Sequence, residues 1–183
     1  MNRSKLASMD HYDVAPVPDF HPEIGVLLAS MHDSTREWRE NLGEPTVEAI
    51  CWQPAPEFHS IGTILLHIAE CEAYWFEQFV AKLTPDAEET KLLKAEEILQ
   101  DDVKWPDAHP QPIEWYFELH DRIRARSWNA IREIEPERVI VGNHGSFTLR
   151  WIVAHVLEHD SYHGGQAVLL HELWRKGFAS LKS

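Results

Sequence analysis

The chain has 183 residues, enough for one domain with a substantial core, and a formal charge of −13. That acidity argues against a nucleic-acid partner, whose phosphates favour a basic surface, and against an anionic membrane surface. Two cysteines without a C-x-x-C spacing exclude a disulfide framework or zinc ribbon, whereas 12 histidines and 8 tryptophans direct attention to metal and to aromatic packing. The first 20 residues contain no apolar run like that of a signal peptide, and no stretch approaches the ~18 apolar residues of a membrane span. A reducing cytoplasm is therefore the expected setting.

Residues 1–20, with Pro16 and Pro18, read as an extended or loosely attached arm. Pro22 suits the first turn of helix 1, expected over 22–42. Ile24, Leu27, Leu28, Met31, Thr35, Trp38 and Leu42 keep helical spacing there, and Gly43 and Pro45 end it. A proline-rich connection follows, with a short turn expected over 46–50. Ser60 is positioned to cap helix 2, expected over 60–82, with Ile61, Ile64, Leu65, Ile68, Cys71, Tyr74, Trp75 and Phe79 on its inner side.

Residues 83–111 form a long charged connection, with a helical piece expected within 88–100. Such a length can cross a bundle end to end, so helices 2 and 3 are expected to run parallel. Helix 3 is expected over 112–133, on Ile113, Tyr116, Phe117, His120, Ile123, Ser127, Trp128 and Ile131. A glycine-containing loop with a brief extended pair covers 139–147, and Thr148 caps helix 4, which reaches about 175. Four long amphipathic patterns without a strong strand signal define one all-α domain, a four-helix bundle spanning 1–183.

Helix 4 carries the chemistry. Ile152, Val156, His159, His163, Gln166 and Leu170 share one face by steps of three and four, and imidazoles occupy its centre where aliphatic groups would pack better. Residues one turn apart have Cβ atoms roughly 5–6 Å apart, so His159 and His163 can aim at one point. Imidazole suits divalent transition metals. His67, mid-way along helix 2 on its inner side, is the candidate third ligand, and three protein nitrogens leave positions open, as in catalytic sites.

By spacing alone His155 and His159 form an equally good pair. His155 is assigned instead to the surroundings of the metal, as a proton carrier or a packed residue. His155-Val-Leu-Glu158-His159 also fits the inverted zinc-peptidase motif H-x-x-E-H, but only a short chain remains to supply another ligand helix. Glu70, one turn from His67, could orient a ligand ring or accept a proton; a solvated helix face is the competing assignment. His120, Tyr74, Trp38, Trp75 and Trp128 are core or pocket-wall positions, Cys71 a small buried apolar residue or a thiolate ligand, and Gln166 a neighbour of His163. Gly164 and Gly165 cost helix stability, roughly 1 kcal/mol each relative to Ala, which points to close packing or substrate access.

Ser60-Ile-Gly-Thr-Ile-Leu-Leu-His67-Ile-Ala-Glu70 resembles the second helix of the DinB superfamily. His159-Asp-Ser-Tyr-His163-Gly-Gly165-Gln166 resembles its H-x-x-x-H-x-G-Q signature, and Thr148-Leu-Arg-Trp-Ile152 the start of its last helix. The resemblance spans roughly residues 20–175. It implies an up-down-down-up bundle holding one divalent metal on His67, His159 and His163, zinc or nickel first, with iron or manganese as alternatives. It further implies metal-dependent chemistry on a small-molecule substrate: thiol S-transfer to an electrophile with a low-molecular-weight thiol as cosubstrate, with metal-dependent hydrolysis or non-catalytic metal binding as alternatives. Glu70 and His155 are the candidate proton-moving residues. A homodimer is one assembly open to such a chain, and the sequence does not fix the oligomeric state. Many relatives carry arginine at the position of Gly164, so the thiol they use does not transfer directly.

Overall fold

The computed structural model describes residues 13–94, 105–143 and 145–178. It is mostly helical, with one small two-stranded sheet.

Helix α1 covers Pro22–Leu42, opening on Pro22 and ending at Gly43, whose φ of 65° is the left-handed conformation glycine tolerates best. A short helix α2, Val47–Cys51, is capped by the Thr46 hydroxyl. Helix α3, Ile61–Glu72, starts at Ser60, whose Oγ accepts the Thr63 N–H at 3.2 Å. The expected single helix over 60–82 changes character at Ala73, where it continues as a π-helical segment, Ala73–Val80. In the wider π turns Trp75 packs against Trp151 and His155 while Glu77 meets Arg126 and Ser127. Apolar spacing carries no mark of that change.

Helix α4, Ala87–Leu93, is the helical piece of the long connection; the rest of the expected 88–100 segment lies largely outside the described residues. Helix α5 covers Ile113–Ile131. Strands β1, Val139–Gly142, and β2, Gly145–Thr148, pair antiparallel with Val139 opposite Thr148, so the expected extended pair is a hairpin. Helix α6, Leu149–Arg175, is capped by Thr148, whose Oγ1 accepts the Trp151 N–H.

Among the described residues the hydrophobic interior falls into two clusters. One gathers residues such as Leu66, Tyr116, Ile123 and Leu170, and the other Ile24, Met31, Phe76 and Val156. Side-chain partners order the helices. Along α3 and α5 they rise together: Gly62 lies against Tyr116, Glu72 against Arg124, and Glu77, in the π segment, against Ser127. Along α1 and α6 they also rise together, from Glu23–Arg150 to Thr35–Asp160 to Leu42–His171. Between α3 with its π segment and α6 they run in opposite senses, Trp75 meeting Trp151 and His67 meeting His163.

The described part of the arm, from residue 13 on, is docked. Residues 1–12 lie outside the described part, but the Val17 N–H donates to the Gly25 carbonyl at 3.1 Å, and Phe20 packs edge-on against Trp128. A Cβ on Gly25 would come within 2.9 Å of the Val17 carbonyl oxygen, so this docking needs a glycine.

Candidate metal centre

His67 from α3 and His159 and His163 from α6 converge. One nitrogen from each ring can be chosen so that all three lie within 4.8 Å of one another. His67 Nε2 and His159 Nε2 face each other at 3.0 Å. His163 Nδ1 lies 2.7 Å from Gln166 Oε1, so that ring donates its Nδ1–H to the amide and leaves Nε2 available. The expected neighbour of His163 is thus a hydrogen-bond partner that fixes its tautomer.

Burial, reinforced by the neighbouring imidazoles His163 and His59, pushes the His67 pKa down to about 3. Burial and the three surrounding histidines bring His159 to about 2, and burial lowers His163 as well. All three rings are neutral at pH 7, the form in which imidazole binds a metal.

Glu70 is buried, only 2% exposed, which corrects the solvated-face assignment. Burial raises its carboxyl to about 8. Its Oε2 stands 3.8 Å from His67 Nδ1, beyond a hydrogen bond, and both His67 Nδ1 and Glu70 Oε1 are buried without a partner. A His67 ring that binds through Nε2 keeps a proton on Nδ1, and the carboxyl one turn away is the acceptor placed for it. Three neutral imidazoles with an orphaned pair behind one of them fit a divalent transition metal, and the residues present supply three of its ligands.

His155 stays outside this convergence. Its ring lies 6.3 Å from that of His159, parallel to Trp151 at 4.9 Å and edge-on to Trp75 at 5.2 Å. Burial lowers its pKa too. Trp75, Phe79, Phe147 and Trp151 extend this contact into an aromatic wall beside the triad. Tyr74 joins that wall against Trp75 and Phe79. Cys71 is buried, and burial holds its thiol well above the ordinary range, as for an apolar core residue rather than a thiolate.

Two residues at the centre escaped the sequence reading. Trp105, from the connection before α5, stacks on His67 at 3.8 Å and on His59 at 3.8 Å. No periodic pattern places either residue there.

His120 belongs to a different cluster. Arg124 of α5 reaches Glu72 of α3 with Nε and Nη2, Asp160 of α6 with Nη2 at 3.2 Å, and the Thr35 hydroxyl of α1 with Nη1 at 2.7 Å. His120 Nε2–H donates to Glu72 at 3.1 Å, and its Nδ1 accepts from Arg39. Burial alone would raise Glu72, but the Arg124 guanidinium and the His120 bond outweigh it and hold the carboxyl at about 2. Trp38, a core residue as expected, donates its Nε1–H to Asp160. Gly164 packs under the same indole: a Cβ there would sit 2.4 Å from Trp38 Cγ, so this position serves helix packing. Gly165 has open space above it.

The DinB superfamily model matches residues 28–167, and the chain belongs to that superfamily. No curated protein matches it significantly. Among the described residues no helix is long and apolar enough to cross a membrane.

Proposed function

We propose that the chain is a divalent-metal-dependent enzyme that activates a low-molecular-weight thiol for transfer to a small electrophile. The observation that carries this reading is the convergence of three neutral imidazoles from α3 and α6, in a chain of the DinB superfamily. His67, His159 and His163 would hold the metal, with zinc or nickel best suited to an all-imidazole set. A bound divalent metal supplies Lewis acidity, lowering the pKa of a thiol or water held beside it. Glu70, a neutral acid at pH 7, would orient His67 by accepting its Nδ1–H, and His155 would carry the released proton from the site to the outside. The aromatic wall of Trp75, Phe147 and Trp151 excludes water from one side and offers flat apolar surface to the electrophile. The order of side-chain partners supports an up-down-down-up bundle as the scaffold, and a cytoplasmic location supplies the thiols the reaction needs.

The test is direct. Cobalt-loaded protein mixed near pH 7 with cysteine, glutathione and glycosylated bacterial thiols should release about one proton per site with the correct thiol, because metal coordination can deprotonate a thiol of ordinary pKa about 8.5 outright. A sulfur-to-metal charge-transfer band should appear with it. His67→Ala protein should show neither. If no thiol perturbs the spectrum while esters or amides turn over with metal dependence, transfer gives way to hydrolysis.

A further inference from the structure

Trp105 lies between two imidazoles. Its indole is parallel to His59, with 3.8 Å between ring centroids and 2° between planes, and stacks on His67 at 3.8 Å and 21°. It meets His163 edge-on at 5.1 Å. His59 immediately precedes Ser60, the cap of α3, and side chains on a helix lean toward its N-terminus, so the His67 ring is tipped toward the loop that carries His59. A fourth imidazole therefore stands two stacking distances from His67, with a single indole in the gap.

The chemistry of the indole matters here. Its N–H is a donor only, with no lone pair to offer a metal. Stacking uses the face of the His67 ring, whereas the Nε2 lone pair lies in the ring plane, so the stack leaves that nitrogen free. An indole thus fills the space beside the centre without ligating it. Had the gap been empty, His59 could complete a set of four histidines. Four protein ligands close a tetrahedral site, and three leave room for an external molecule.

We propose that Trp105 is a spacer that holds His59 off the metal and so keeps a coordination position open. The proposal rests on the metal reading above. It makes Trp105 a positioning residue, acting through His59 rather than on substrate.

Cobalt spectra of the full chain, with azide as the external ligand, test it without any turnover. Azide should shift the visible bands of the cobalt-loaded wild type. In Trp105→Ala the bands should already differ before azide is added, the azide response should be lost, and cobalt should bind more tightly. Adding His59→Ala to that variant should restore the response. Trp105→Phe, which keeps a flat ring without a ligand atom, should behave as wild type. Trp105→Val empties most of the gap while keeping some apolar contact, and gives the same readout should the alanine variant fail to fold. An undiminished or stronger azide response in Trp105→Ala and Trp105→Val overturns the spacer while leaving the metal reading standing. A wild type that binds no cobalt overturns both.

Discussion

Two buried polar clusters lie side by side between the same helices, and they are finished to different degrees. Glu72 and Asp160 meet Arg124, Thr35, Trp38 and His120, and none of Glu72, Asp160, Arg124 or His120 has a buried side-chain nitrogen or oxygen without a partner; the unpartnered atom of this cluster, Arg39 Nε, lies beyond His120 at its edge. Two residues before Glu72 on α3, Glu70 keeps an orphaned oxygen; on α6, His159 is the immediate neighbour of Asp160 and belongs to the triad, whose His67 keeps an orphaned nitrogen. Successive helical positions turn by about 100°, so neighbouring residues serve opposite purposes. A buried polar group costs free energy unless bonded. The completed cluster supports the fold with the chain's own atoms, whereas the open one is arranged for something the chain does not contain.

That contrast can be broken most forcefully at Arg124. Arg124→Met leaves Glu72 and Asp160 as uncompensated buried charges, and removing one partner of a buried pair costs about 3–5 kcal/mol. Urea unfolding of the metal-free protein should show a loss of that size. His159→Ala, measured the same way without metal, should cost only a fraction of it. Equal losses would erase the distinction between the clusters.

Metal should reverse the ranking. At a free concentration about 100 times Kd, a ligand that binds only the folded state adds about 2.7 kcal/mol. Wild type and His155→Ala should gain comparably in Tm from zinc or nickel, while His159→Ala and His163→Ala should gain almost nothing. A His155→Ala protein as impaired as His163→Ala would move the centre one turn up α6.

Proton linkage gives the smallest and sharpest test. Burial lifts Glu70 to about 8 from an ordinary 4.5, and burial with neighbouring imidazoles lowers His67 to about 3 and His159 to about 2 from 6.5. The unfolded chain therefore takes up protons at both histidines below pH 6.5 that the native state refuses. It also releases one from Glu70 above pH 4.5 that the native state keeps. Metal-free stability should fall as pH drops below 6.5, where two imidazoles outweigh one carboxyl. It should also fall from pH 6.5 toward 8, by at most about 1.4 kcal/mol per unit, through Glu70 alone. Glu70→Gln should abolish the alkaline decline and leave the acid one. Melting curves at half-unit steps of pH read this; an unchanged alkaline decline in Glu70→Gln would remove Glu70 as its cause.

The helices were legible because their apolar residues repeat with the helical period and because Ser60 and Thr148 are caps at the right offsets. The pair His159 and His163 was legible for the same reason, four residues apart on one face. His67 required a partner helix to be imagined, and the family pattern supplied it. The ionic cluster was hidden: His120 read as a core or pocket-wall position, and nothing local says that Arg124, Glu72 and Asp160 gather beside it. Trp105 and His59 were invisible, since both stand outside periodic segments and meet only through tertiary folding. The π segment was equally hidden, because apolar spacing does not distinguish its turns from those of α3.

Gly164 beneath Trp38 has a consequence for descent. Were arginine to stand at this position, the first carbon of that side chain would collide with an indole placed as here, at 2.4 Å from its Cγ. Neither change is easily made alone: a larger residue at 164 meets the ring, and a smaller one at 38 opens a hole between α1 and α6 and removes the Nε1–H bond to Asp160. The two positions should therefore have drifted as a pair, small with large and large with small, across the superfamily. A chain with glycine here can bring its first and last helices closer together than one with any side chain at that position.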